Sequence, residues 1–271
     1  MHSIAMWTDR PLLWDIGAAL LTAVAAAVVL RFWEVVANRE LLDQKLCRKL
    51  VHITVGLVYF LMWPLFSSDD IYAPFLAPLI IILNIVKVTL IGLGVVKDEG
   101  VVNSMTRNGD HRELLKGPLY YACAITLTTI IFWRTSPISI VVICVADIVG
   151  RRLGHAKLPH NPEKSYAGTV GMFLAGFLAS VLYMCYFHRF GFVEQSWAMV
   201  VAFGVISLVA AVVESLPIST RLDDNLTVPL ASVLVGSLVF YSIGVRSLCC
   251  MSSGLSSISP IVEMVFAGSS K

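Results

Sequence analysis

Long apolar runs, separated by short polar connections, organise this chain. Seven of them cover 12–36, 51–67, 71–96, 118–133, 168–187, 197–213 and 226–246. A helix needs about 20 mostly apolar residues to cross a bilayer. Runs this long and this continuous are not amphipathic surface helices. The pattern therefore predicts an all-α, polytopic membrane helix bundle of about seven transmembrane helices. Small residues recur on single faces, as at Gly168, Gly171, Ala175, Gly176 and Ala179. Such faces suit close helix approach in lipid. Trp63, Trp133 and Trp197 fall near run ends, where interfacial aromatics are expected.

One further apolar stretch, 137–149, has only 13 residues. As a helix it reaches about 20 Å, against about 30 Å of hydrocarbon. It is expected to be a half-span, a re-entrant piece, or a helix that has lost residues.

The polar connections are unequal. Thirteen of the twenty lysines and arginines sit in 37–50, 97–117, 150–167 and 214–225, and these alternate with nearly bare connections. If every apolar run, including the short one, crosses once, all four stretches meet at one membrane face. Arg31 and Lys87 lie within apolar runs. Composition agrees with a membrane location: 57% of residues are hydrophobic, 14% are charged and mean hydropathy is +0.80, whereas soluble domains are about 25% charged. A net charge of +2, with acids mixed among the bases, gives no nucleic-acid partner. The six cysteines lack metal-ligand spacing and read as packing residues. The amino terminus has neither the basic start of a secretory signal nor the acid-free composition of a transit peptide. Residues 1–246 read as one membrane domain, and 247–271 as a Ser-rich tail without a readable motif.

Each polar stretch carries candidate chemistry. The first holds Arg48 and Lys49 and leads to His52, four residues from Arg48 and on its helix face. Plain positive-inside anchoring accounts for it equally well. The second runs from Arg107 to Lys116-Gly117-Pro118. Proline there suits a first helical turn, and free amides beside Lys116 suit an anion such as phosphate. In the third, Asp147 ends the short run next to Gly150 and Arg151. Lys164-Ser165 and Gly168-Thr169 then open another apolar helix, a phosphate-cradle composition without Walker A spacing. The fourth holds Glu214, Asp223, Asp224 and Asn225. Adjacent carboxylates suit Mg²⁺, which takes carboxylates plus substrate phosphates; a helix-cap role for Asp224 or Asn225 stays open. The other histidines show no paired spacing for a metal. Acids for a metal and cations for phosphates at one face suit phosphoryl transfer, which rests on positioning and charge neutralisation, with an acceptor entering from lipid.

These stretches resemble the plant prenyl-alcohol kinases, the phytol kinase and farnesol kinase group of the wider polyprenol kinase family. The resemblance covers roughly 40–246. It rests on DQKLCRKLVH (43–52), RNGDHRELLKGPLYY (107–121), ADIVGRRLG (146–154), the 161–169 segment and ESLPISTRLDDN (214–225). Its wording is nearer to farnesol kinase. It implies a multi-pass plastid membrane enzyme that transfers the terminal phosphate of a nucleoside triphosphate, commonly CTP, to an isoprenoid alcohol. Phytol, geranylgeraniol and farnesol are the candidate acceptors, in salvage that feeds tocopherol synthesis. Asp147, Asp223 and Asp224 would then hold Mg²⁺, or one would act as base on the alcohol. Arg107, Lys116, Arg151 and Lys164, with Gly150, Ser165, Gly168 and Thr169, would bind the nucleotide phosphates. Glu214 and Asn225 would orient metal or nucleotide, and Arg48, Lys49 and His52 are accessory candidates.

The chain departs from the family pattern at one place. Members carry a Gly-Asp-Gly turn a few residues before the match to Ala146-Asp147, and roughly eight residues are absent here. The shortfall falls on the same run that is too short to cross. An inactive variant is therefore one reading of this chain. A cytidylyltransferase of the related fold, releasing pyrophosphate, is another. A small-solute transporter is less favoured, because the polar groups cluster at run ends and no repeated half is evident.

Overall fold

The computed structural model describes residues 11–42, 44–67, 72–106, 108–144 and 156–245. Helices dominate: α1 (Pro11–Asn38), α2 (Gln44–Leu61), α3 (Ala73–Leu76), α4 (Leu79–Gly92), α5 (Glu99–Met105), α6 (Gly117–Ile131), α7 (Pro137–Cys144), α8 (Tyr166–Arg189), α9 (Trp197–Ser215), α10 (Pro217–Leu222) and α11 (Asp224–Ser242). One small antiparallel hairpin, β1 (Lys157–Leu158) and β2 (Asn161–Ser165), precedes α8. The expected polytopic helical bundle is therefore what forms. Among the described residues, six helical stretches are long and apolar enough to cross a membrane, and a seventh, Lys49–Leu65, is shorter. The tail 247–271 lies outside the described residues.

The spanning helices invert the usual pattern of a soluble helix. On α11, Leu226, Leu230, Leu234 and Leu238 are exposed at four-residue spacing, while Asn225, Val228, Ser232, Gly236 and Phe240 are buried. On α8, Leu174, Leu178 and Leu182 face outward, with Gly168, Gly176 and Ser180 inward. Lipid solvates the leucines, and small residues let the backbones approach. Accordingly α9 packs between α8 and α11, and α1 packs along α2.

The short run becomes α7, and all eight of its residues are buried. A helix apolar on every side belongs in the interior. Its described residues, about 12 Å of helix, are held by α8 and α11, with α2 and α6 alongside. Asp147, beyond its end, lies outside the described residues.

Away from the basic stretches, the bundle is closed by aromatics. Trp63 and Trp133 are buried, with ring centroids 4.6 Å apart, and Phe60 stacks edge-on against Phe187 at 4.7 Å. These two tryptophans, at the ends of their runs, fill the core between α2 and the α6–α7 connection. Trp197 alone of the three is exposed. Arg134 is buried beside them. Its guanidinium donates to the carbonyls of Trp63, Phe66 and Ser67 and lies 4.4 Å from the Phe192 ring centroid. Asp15, also buried, accepts from the Ser67 amide (2.6 Å) and hydroxyl (2.9 Å). Together Asp15 and Arg134 fasten the chain just after α2.

Candidate functional site

The opposite end of the bundle gathers the four polar stretches through a chain of contacts. α5 packs against α1 and α2, which joins the second stretch to the first. The cations inside apolar runs belong to this end: Arg31 pairs with Glu34 (2.6 Å) and Lys87 with Asp98 (2.9 Å). Asp98 also caps α5, accepting from the Val101 amide. The Lys87 ammonium is the main cause that holds the Asp98 carboxyl below its ordinary pKa.

α6 starts at Gly117, with Pro118 in its first turn, where a missing N–H costs nothing. One turn on, Tyr121 donates from its hydroxyl to the His52 carbonyl (2.7 Å), and the two rings meet edge-on at 4.6 Å. Gly56 makes room for that hydroxyl, since a Cβ there would collide with it. His52 itself is buried.

The third and fourth stretches are joined by ion pairs. The hairpin is pinned to the end of α9 by Asn161, whose amide donates to the Ser215 carbonyl (3.1 Å). This places Lys164, on β2, against two carboxylates. Its ammonium donates to Glu214, at the end of α9, and lies 3.2 Å from Asp224, at the start of α11. All three side chains are largely buried. Charges held in so little water interact more strongly than surface pairs.

Asp223 and Asp224 have different surroundings. Asp223 caps α11: its carboxylate accepts from the Asn225 amide (3.0 Å) and side chain (2.9 Å). It does so at φ 75°, a region costly for a residue with a Cβ. The cap thus belongs to Asp223, one residue ahead of the positions for which a cap was considered. Beside Asp224, a cavity of about 30 Å³ is lined by Tyr121, Met172, Glu214, Asp224, Asn225 and Pro229, among others. Pro229 has no N–H to give the Asn225 carbonyl one turn earlier, so that acceptor lacks its ordinary helical donor at the cavity wall. The space takes a water or two. It is the floor of a site rather than a nucleotide pocket.

Ser165 caps α8, its hydroxyl accepting from the Gly168 amide (3.2 Å). Thr169 follows with a buried hydroxyl that has no hydrogen-bond partner among the described residues. Lys116 is exposed at the cap of α6, Lys49 is half-buried on α2, and Arg48 lies on the same helix. Arg107, Asp147, Gly150 and Arg151 lie outside the described residues. The structure therefore brings together Lys164, Glu214 and Asp224, with Asn225 at the same cavity. Tyr121 is a wall residue of that cavity which charge and motif reading passed over, although its position one turn into α6, within the 107–121 motif, is a usable signal. Among the described residues, no group of three or more His, Cys, Asp or Glu is arranged to hold a metal.

Comparison with known proteins settles the family. A probable phytol kinase 2, chloroplastic, of Oryza sativa subsp. japonica is 61% identical over 233 residues, which are 83% of this chain and 76% of that protein. The chain belongs to the phytol kinase and farnesol kinase family. A chloroplastic farnesol kinase of Arabidopsis thaliana is 53% identical, over 87% of this chain and 78% of its own. Phytol kinase 1, chloroplastic, of the same plant is 39% identical, over 84% and 78%. Within that plant the chain is thus more similar to the farnesol kinase than to this phytol kinase. No protein-family model and no solved structure matches the chain. Membership makes this a kinase family member on a helical bundle whose apolar helices suit a membrane. The position of its polar cluster comes from its own geometry.

Proposed function

We propose that this protein is a membrane-embedded kinase that transfers the terminal phosphate of CTP, or another nucleoside triphosphate, to phytol, geranylgeraniol or farnesol. The product is the prenyl monophosphate, made in a chloroplast membrane for isoprenoid salvage and tocopherol synthesis. The observation that carries the reading is Lys164 held between Glu214 and Asp224 at the end where the basic stretches converge. The names of the relatives support the reaction type and the acceptor class.

The donor set fits Mg²⁺ in kind. Two carboxylates converge on one point, and a cation, the Lys164 ammonium, already sits there. Mg²⁺ asks for only one or two protein carboxylates when phosphate oxygens and water complete its shell. When bound, Mg²⁺ supplies charge neutralisation on the transferring phosphate. Glu214 and Asp224 would hold the metal, and Lys164 would be free to bind a phosphate oxygen. Asp223 keeps the first turn of α11 in place, so that Asp224 and Asn225 stay aimed at the cavity. Thr169 offers its hydroxyl at the amino end of α8. Arg107, Lys116, Gly150 and Arg151 are the further phosphate contacts, and Asp147 the further metal ligand, that the family motifs supply. Prenyl alcohol and lipid are the partners, and no nucleic acid takes part.

CTP labelled separately on its α and γ phosphates tests this in membranes containing the chain and farnesol. Transfer of the γ label to the alcohol with release of CDP is expected. Release of pyrophosphate would replace the kinase reading with a cytidylyltransferase. Parallel assay of a form with the Gly-Asp-Gly turn restored separates a lost activity from a wrong assignment: product from the restored form alone marks this chain as an inactive variant.

A further inference from the structure

A second and larger cavity, of about 250 Å³, lies between α1, α2, α4 and α6. Its lining spans the same depth on each helix. On α1 it runs from Ala23 to Leu30, on α4 from Ile80 to Lys87, on α6 from Ile125 back to Pro118, and on α2 from Tyr59 back to Val51. Two helical turns make a slot about 10 Å deep. Polarity changes along it. His52 and Lys87 lie at the end facing the basic stretches, Asn84 and Tyr121 follow about one turn in, and Ala23, Ile80 and Ile125 form the floor. The Tyr59 hydroxyl at the floor is already engaged by Thr129 at 3.0 Å. Tyr121 and Ile125 also line the small cavity beside Glu214 and Asp224. The two spaces thus share one wall, and Glu214 and Asp224 line the space on its other side.

The geometry points to this slot as the seat of the acceptor alcohol, holding its hydroxyl end and the adjoining isoprene units while the remaining tail runs into lipid. The inference rests on the kinase reading proposed above. A slot with a polar mouth and an apolar floor takes an amphiphile in one orientation, which here carries the hydroxyl to the Tyr121 wall and the phosphoryl site beyond it. The depth sets the specificity. About 10 Å is a third of the hydrocarbon thickness, so the slot encloses only the head-proximal part of such a chain. Over that length farnesol, geranylgeraniol and phytol share the allylic head unit and the methyl-branch spacing, and phytol differs only in a saturated second unit. A pocket discriminates by what it encloses. The three alcohols should therefore be used with kcat/KM values within about tenfold of one another, a tolerance set by the slot and not by the nucleotide end. Tyr121 acts here as a positioning residue: its hydroxyl holds α2 at His52, and its ring divides the two spaces.

Two farnesol analogues test the assignment by a route that does not need turnover. One carries a photoreactive diazirine next to the alcohol, the other at the tail end. Irradiated with membranes containing the full chain, the head-end probe should label 51–59, 80–87 or 118–125. Unlabelled farnesol should compete, and a phospholipid excess should not. The tail-end probe should label lipid or outward-facing residues. Ala23→Phe, which fills the floor from a lipid-facing helix, should cut head-end labelling and alcohol kcat/KM by about tenfold or more, leaving KM for CTP unchanged. Head-end labelling outside the slot, or labelling displaced by phospholipid alone, would overturn the slot while leaving the kinase reading intact. Competable labelling inside the slot in a protein that phosphorylates no alcohol even with the turn restored would support the slot and overturn the kinase reading.

Discussion

Replacing Lys164 by methionine removes the cation that pairs with both Glu214 and Asp224. Methionine keeps most of the side-chain volume, so the change is chiefly electrostatic. The Lys164 side chain is 12% exposed, Glu214 5% and Asp224 13%. Removing one partner of a buried pair costs about 3–5 kcal/mol, because a charge is left in poor solvent. Two carboxylates are left here, so the upper part of that range applies when both stay ionised. For a chain of this size about 1 kcal/mol moves Tm by about 2–4 °C, which puts the expected fall at roughly 6–20 °C. Adding Glu214→Gln to Lys164→Met removes one of the two charges and should recover about 1–3 kcal/mol, measured as a double-mutant cycle on thermal melts in detergent. A fall of less than about 1 kcal/mol in Lys164→Met, with no coupling, would refute a buried triad.

Other features make separate predictions. Arg134→Ala takes the guanidinium from three core carbonyls, of which that of Trp63 keeps the Phe66 N–H, and should cost about 3 kcal/mol or more, read as a lower Tm that Arg134→Lys only partly restores. Asp223→Ala loses the α11 cap at a strained φ and should cost about 1–2 kcal/mol, whereas Asp223→Gly should cost less and Asp223→Asn least, by the same melts. Since Lys87 lowers the Asp98 pKa, that pair contributes stability above the unfolded aspartate value, near about 4. The contribution should be lost as pH falls through the lower folded value, so the Tm difference between wild type and Asp98→Asn should shrink below pH 4. Gly56→Ala pushes the Tyr121 hydroxyl off the His52 carbonyl and should alter tyrosine fluorescence and alcohol KM without changing KM for CTP.

The helices were legible in the chain because lipid demands long apolar runs. The basic alternation pointed to one end of the bundle: α5 packs on α1 and α2, Tyr121 of α6 bonds to α2, the hairpin is tied to α9 and α11, and α11 packs on α6. Burial of Arg134 was not legible. Its local sequence looks like an ordinary connection, and its partners are backbone carbonyls 67–71 residues away, which leave no side-chain signature. The same holds for Trp63 and Trp133, whose position at run ends is shared by interfacial and core aromatics. The division between Asp223 and Asp224 was hidden because it depends on a single positive φ at the start of α11. The slot was invisible for a different reason: alanines and isoleucines on four separated helices carry no motif, and only packing makes them neighbours.

The central claim is that Lys164, Glu214 and Asp224 form the phosphoryl-transfer site. The most direct measurement is transfer of γ-labelled phosphate from CTP to farnesol by the active form, with Lys164→Met, Glu214→Gln and Asp224→Asn compared at equal folded protein. The account predicts that each variant loses at least about 100-fold in kcat, as expected for lost electrostatic stabilisation in the transition state. Near-normal kcat in variants that remain folded would contradict it.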